Sequence, residues 1–138
     1  MITYVARSAG REDHLGEGFD YIMAGLSEHE DGSGRGLTVQ CAVEPPDAGD
    51  IATGMDSYCV SNELGLTVYG GVRYVRLQRR TLRIQFEPSA AEGLGLDDPV
   101  VEVTLAVDDA AIEQLKSGLQ RTFSYGRERS LPVLDFDE

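Results

Sequence analysis

The chain has 138 residues, with 24 Asp and Glu against 12 Lys and Arg, and a formal net charge of −12. That length supports one domain with a real core and is short for two. The charge disfavours nucleic acid and anionic membrane as partners and favours cationic ones. No stretch reaches the apolar length of a membrane span. The first residues lack the basic start and apolar block of an export signal, so the expected compartment is the cytoplasm.

Residues 1–69 carry a net −9 and residues 87–138 a net −8, while residues 73–83 carry five arginines and no acid. One basic island therefore sits in an acidic chain.

In chain order, Ile2 to Arg7 alternates like a strand, and Ser8 to Glu17 reads as a polar loop. Gly18 to Ala24 predicts a second strand, with Phe19, Tyr21 and Met23 on one face. Residues 27–36 are too polar and glycine-rich to pack and predict a mobile hairpin loop. Leu37, Val39 and Cys41 mark a third strand, and residues 44–50 break it. The stretch from Gly54 to Val60 enters a strand, and Leu66 to Val72 returns as its hairpin partner. Gly70 and Gly71 supply positive-φ positions at its end. Val72 to Gln78 and Thr81 to Glu87 form another pair. Arg79-Arg80 lacks the glycine or asparagine of a tight turn, which predicts a longer connection.

Residues 88–96 predict one helical turn closed by Gly93, and Val101 to Val107 a strand. Asp108 or Asp109 caps a helix to about Phe123, with Ile112, Leu115, Leu119 and Phe123 on one face. Gly118 either weakens this helix or permits close packing. The predicted fold class is α+β: mainly antiparallel sheet with one C-terminal helix packed on it. Residues 1–123 form the domain, and 124–138 an acidic, frayed tail whose Val133, Leu134 and Phe136 can dock on the body or on another chain.

Cys41 and Cys59 read as buried, reduced thiols, and a disulfide between them stays open. His14 and His29 lie in acidic loops. Glu28-His29-Glu30-Asp31 has the donors for a divalent metal but no second His or Cys, so a solvated loop is the better reading. No nucleophile stands beside a base, and the glycines near Ser33 lack the lysine–hydroxyl pair of a phosphate loop. The expectation is no enzyme, no cofactor and no metal. Arg73, Arg76 and Arg83 either line a solvated sheet face, paired with acids, or form an anion site. Tyr58, Tyr69 and Tyr74 are read as core residues with rim hydroxyls, or as part of a partner site.

Several segments taken together resemble the Imm10 family of bacterial immunity proteins. They are Gly54-Met55-Asp56-Ser57-Tyr58, Tyr69-Gly70-Gly71-Val72, the strand Leu82 to Phe86, residues 90–96, the strand 101–107 and the final helix. The resemblance runs from about Ile2 to Phe123 and leaves the tail outside. It implies a non-enzymatic protein that binds and neutralises a cognate secreted toxin. Gly54, Asp56, Tyr58, Tyr69, Gly70 and Gly71 are then architectural, with Asp56 accepting backbone N–H bonds. The charge suits a basic toxin domain. Glu28, Glu30 and Asp31 in one loop, and Glu12, Asp13 and Glu17 in another, are the candidate partner-binding residues. The two loops are expected at opposite ends of neighbouring strands. Homo-oligomerisation stays open. The alternative is a small anion-binding or accessory domain that uses the arginine-rich hairpin 73–83.

Overall fold

The computed structural model describes residues 1–16, 18 and 20–136. In chain order the strands are β1 (Ile2–Ala6), β2 (Ser8–His14), β3 (Tyr21–Ser27) and β4 (Gly36–Ala42). A short helix α1 (Ala48–Thr53) precedes β5 (Cys59–Asn62), β6 (Thr67–Tyr69), β7 (Val72–Gln78) and β8 (Thr81–Phe86). Then come α2 (Pro88–Gly93), β9 (Val100–Leu105), α3 (Asp109–Thr122) and β10 (Val133–Phe136). No helix among the described residues is long and apolar enough to cross a membrane.

The fold is α+β, but among the described residues it has two sheets, and the C-terminal α-helix is one of three. One five-stranded sheet runs β1-β9-β8-β7-β10, and the other β2-β3-β4-β5-β6. The second sheet is antiparallel throughout. The first is antiparallel at its centre and parallel at both edges, where β1 joins β9 and β10 joins β7. Only Arg7 separates β1 from β2, so the chain passes from one sheet to the other at that residue.

Period-two burial builds the core. Leu37, Val39 and Cys41 face inward from β4, Leu82, Ile84 and Phe86 from β8, and Val101, Val103 and Leu105 from β9. Helix α3 packs on β2, β3 and β4. Its Leu115, Leu119 and Phe123 are buried, and Ile112 is half-buried against the same core. Asp108 caps α3 by accepting from Ala111 N at 2.8 Å. A Cβ on Gly118 would lie 2.6 Å from Ala24 Cβ, so glycine permits this close approach of helix to sheet.

Four local expectations are corrected. Residues 8–14 are a strand, although they lack apolar alternation. β2 is an edge strand, and Arg11 supplies polar contact with α3 by donating from Nη1 to Ser117 Oγ at 2.6 Å. The next strand begins at Tyr21, and its buried face is Ile22, Ala24 and Leu26, opposite to the face expected; Phe19 lies outside the described residues. The Arg79-Arg80 connection is a two-residue turn, with Gln78 paired to Thr81. Arg79 takes φ 54°, a conformation unfavourable for a residue with a Cβ. Arg80 helps hold the turn by donating to Val107 O and, at 2.8 Å, to Asp109 Oδ1. Finally, residues 133–136 of the expected frayed tail add a strand to β7, with Leu134 and Phe136 against the core and Val133 exposed.

Candidate functional site

The segment between α1 and β5 is tied to several distant parts of the chain. Asp47 and Asp50 form a capping box that starts α1, and Gly54 ends the helix at φ 74°. The next residues are fastened to the C-terminal segment. Ser57 bridges to Gly126, and Arg127 N donates to Asp56 O at 3.1 Å. A Cβ on Gly126 would lie 2.4 Å from Ser57 Cα, so only glycine fits this crossing. Asp56 is buried, and its Oδ1 lies 3.2 Å from Arg127 Nε in an ion pair that lacks hydrogen-bond alignment. Arg127, rather than a set of backbone N–H groups, is therefore the partner of the Asp56 carboxylate.

Tyr58 is fully buried and joins three segments. Its hydroxyl donates to Ser130 O at 2.7 Å and accepts from Val72 N at 3.0 Å. Its ring meets Phe123 edge-on at 5.0 Å. Burial pushes the Tyr58 hydroxyl up to about 12, so it stays protonated as a donor. Gly70 N donates to Tyr58 O at 2.8 Å, and Gly70 and Gly71 take φ 71° and 87° as the chain turns from β6 to β7. Asp56, Tyr58, Gly70 and Gly71 are thus held by contacts within the fold, and the exposed Gly54 closes α1 in the left-handed conformation, whereas Tyr69 is exposed on β6.

Tyr69 is 45% and Met55 48% exposed. With Tyr21, Gln40, Asp50 and Cys59 they border a cavity of about 190 Å³. Cys59 and Cys41 are free and buried on neighbouring strands. Cys59 pairs with Gln40, so Cys41 is one position out of register and on the opposite face. Burial pushes the Cys59 thiol up to about 11 and leaves it unreactive at neutral pH.

The two groups of candidate acids lie at opposite ends of the antiparallel β2–β3 pair. At one end, Glu12 meets His14 at 3.0 Å, and His14 stacks on Tyr21. Asp13 accepts from Arg11, which holds its carboxyl below the usual range. Both acids are on β2 rather than in a loop, and Glu17 lies outside the described residues. At the other end, Glu28 Oε1 accepts from Arg35 N at 2.7 Å and Nε at 3.0 Å. These bonds hold the Glu28 carboxyl down to about 2. Asp31 accepts from Ser33 N and Oγ, which also lowers its carboxyl. Glu30 is exposed. The loop expected to be mobile is closed by backbone bonds from Glu28 N to Arg35 O and from His29 N to Ser33 O. Among the described residues, no group of three or more His, Cys, Asp and Glu is placed to hold a metal.

The arginine island lies on the outer face of the first sheet. Arg76 and Arg83 oppose each other across β7 and β8. Arg76 meets Asp135 at 3.6 Å, and Arg83 meets Glu102 at 3.9 Å. Tyr74 also donates to Asp135, at 2.7 Å. Arg73 has no acidic partner among the described residues. A broad groove of about 600 Å³ is bordered by Arg76, Arg79, Arg83 and Glu102.

The partners of Asp56 and Tyr58 were not recognisable in the sequence. Gly126 and Arg127 sit in a charged segment with no periodic signal, and the packing of Gly126 on Ser57 emerges only when the chain returns from α3.

No curated protein matches the chain. No solved structure matches it either. The family model described as Immunity protein 10 matches residues 5–113. That match takes in β2 to β9 and most of the motif architecture described above, and the chain belongs to the Imm10 family of immunity proteins.

Proposed function

We propose that this protein binds a cognate toxin domain and neutralises it by stoichiometric contact in the bacterial cytoplasm, without turnover of its own. Family membership across residues 5–113 is the observation that carries this reading. The electrostatics support a basic partner: the surplus of acid is large, and opposite charge speeds encounter and orients it. The exposed Glu12 and Glu30 belong to the rim that steers association. Glu28 and Asp31 are already bonded to Arg35 and Ser33, so they shape their loop as much as they attract a partner. The anion-binding alternative is weaker, because Arg76, Arg80 and Arg83 each have an acidic partner within the chain.

The test is titration of the activity of the cognate toxin domain. Inhibition should be complete at about one equivalent and unchanged by a chelator. The reading fails if the toxin stays active at a large excess. It fails equally if substoichiometric protein abolishes activity over time, because that behaviour is turnover.

A further inference from the structure

The neutralisation reading leaves the contact surface open, and the inference drawn here rests on that reading. We propose that the surface around Met55 and Tyr69, where α1 flanks the outer face of the second sheet, is the central docking site for a basic face of the toxin domain.

Three observations converge on this surface. First, it is apolar where the chain meets water. Ile51 on α1 is 61% exposed, and Met55 and Tyr69 are close to half exposed on the border of one cavity. Aromatic and methionine side chains of this kind are enriched at the centres of protein interfaces.

Second, its charge is one-sided. From Gly36 to Val72 the chain contains no Lys or Arg and five carboxylates. Asp56 is taken by Arg127, and Glu63 Oε1 accepts from Gly36 N. Glu44, Asp47 and Asp50 remain beside α1. Asp47 and Asp50 bond only to backbone N–H groups of the capping box, which leaves their charges without a cation. Arg121 is directed toward Cys41 and Val43, behind the sheet. An apolar centre with an acidic rim is complementary to a basic protein surface, whereas a second copy of this acidic chain would meet like charge.

Third, the surface is preorganised. Tyr58, Gly70 and the Gly126 crossing fix the loop and strand that carry Met55 and Tyr69, so little conformational freedom is lost on binding.

The experiment measures the affinity of the same toxin domain for the full chain and for two variants, Met55→Ala and Tyr69→Ala. The double variant Arg76→Ala/Arg83→Ala on the opposite sheet is the control. Each of the first two should weaken binding by about tenfold or more, chiefly through faster dissociation, without lowering the thermal midpoint. The control should stay within about threefold of the parent. Met55 lies outside any strand, so it keeps the test decisive if Tyr69→Ala lowers stability. Tight binding by the parent with Met55→Ala and Tyr69→Ala equally tight overturns this surface and leaves neutralisation standing. Failure of the parent to bind removes the neutralisation reading, and this inference with it.

Discussion

The outer faces of the two sheets can be compared row by row. Across the first sheet one row runs Asp135, Arg76, Arg83, Glu102, Thr3, each residue opposite the next. Across the second, one row runs Glu12, Met23, Gln40, Cys59, Tyr69. The first row places two arginines side by side and gives each an acid on its far side. Its charges balance locally, and water can solvate what remains. The second row has a single carboxylate at one edge, an exposed aromatic at the other, and polar or apolar side chains between. That carboxylate, Glu12, meets His14 at 3.0 Å, and the row itself holds no lysine or arginine. A concentrated run of charge therefore need not mark the binding face: the arginine island catches the eye in the sequence, yet three of its five arginines meet acids from other segments in the fold.

Exposed ion pairs, such as those of the arginine row, should contribute little to stability, and the buried carboxylate of Asp56 more. The largest effect is expected at Asp56→Ala, which leaves the half-buried Arg127 without its carboxylate and loosens the C-terminal crossing. Denaturant unfolding should show a loss of about 2 kcal/mol. A change below about 0.5 kcal/mol would mean that the ion pair does not fasten the crossing.

A much smaller effect is expected in the arginine row. Asp135→Asn removes an exposed partner of Arg76 and a charged acceptor of Tyr74. Its cost should stay below about 1 kcal/mol, and added salt should narrow it further. A cost equal to that of Asp56→Ala would contradict the distinction between the two kinds of pair.

The smallest effect is a titration. Arg35 holds the half-buried Glu28 carboxyl down to about 2, below its ordinary value of 4.5. A depressed folded-state value stabilises the fold above the ordinary value. That contribution is lost as pH falls from about 4.5 towards 2. Carbon-detected NMR titration of the Glu28 carboxyl should show the low value in the parent and a return towards the ordinary range in Arg35→Ala. An ordinary value in the parent would remove this bond from the loop's description.

The same physical division decides how much could be read from the sequence. Alternation in Leu37, Val39 and Cys41, or in Leu82, Ile84 and Phe86, reports directly on burial, so those strands were legible. The α3 face and a cap at Asp108 or Asp109 were legible for the same reason, because helix period and capping chemistry are local; the fold selects Asp108. β2 was not, because an edge strand covered by a helix can use Arg11 where a central strand needs an apolar residue. The division into two sheets depends on a change of partner at Arg7, which leaves no pattern in composition. β10 was missed because its four residues form a strand only through pairing with β7. For the candidate site, the motif glycines and Tyr58 were found, but Arg127 and Ser130 come from a distant segment. The exposure of Met55 and Tyr69 follows from that tertiary arrangement and not from their neighbours in sequence.

In the proposed complex the second sheet's outer face, beside α1, meets the toxin while the first sheet's outer face stays in water. Hydrogen exchange by mass spectrometry, with and without the toxin domain, tests it most directly. Binding should slow exchange in peptides covering residues 50–57 and 66–70. Peptides covering residues 74–85 should exchange at the same rate in both states. Protection confined to residues 74–85, with none at 50–57 or 66–70, would contradict the account and move the interface to the arginine row.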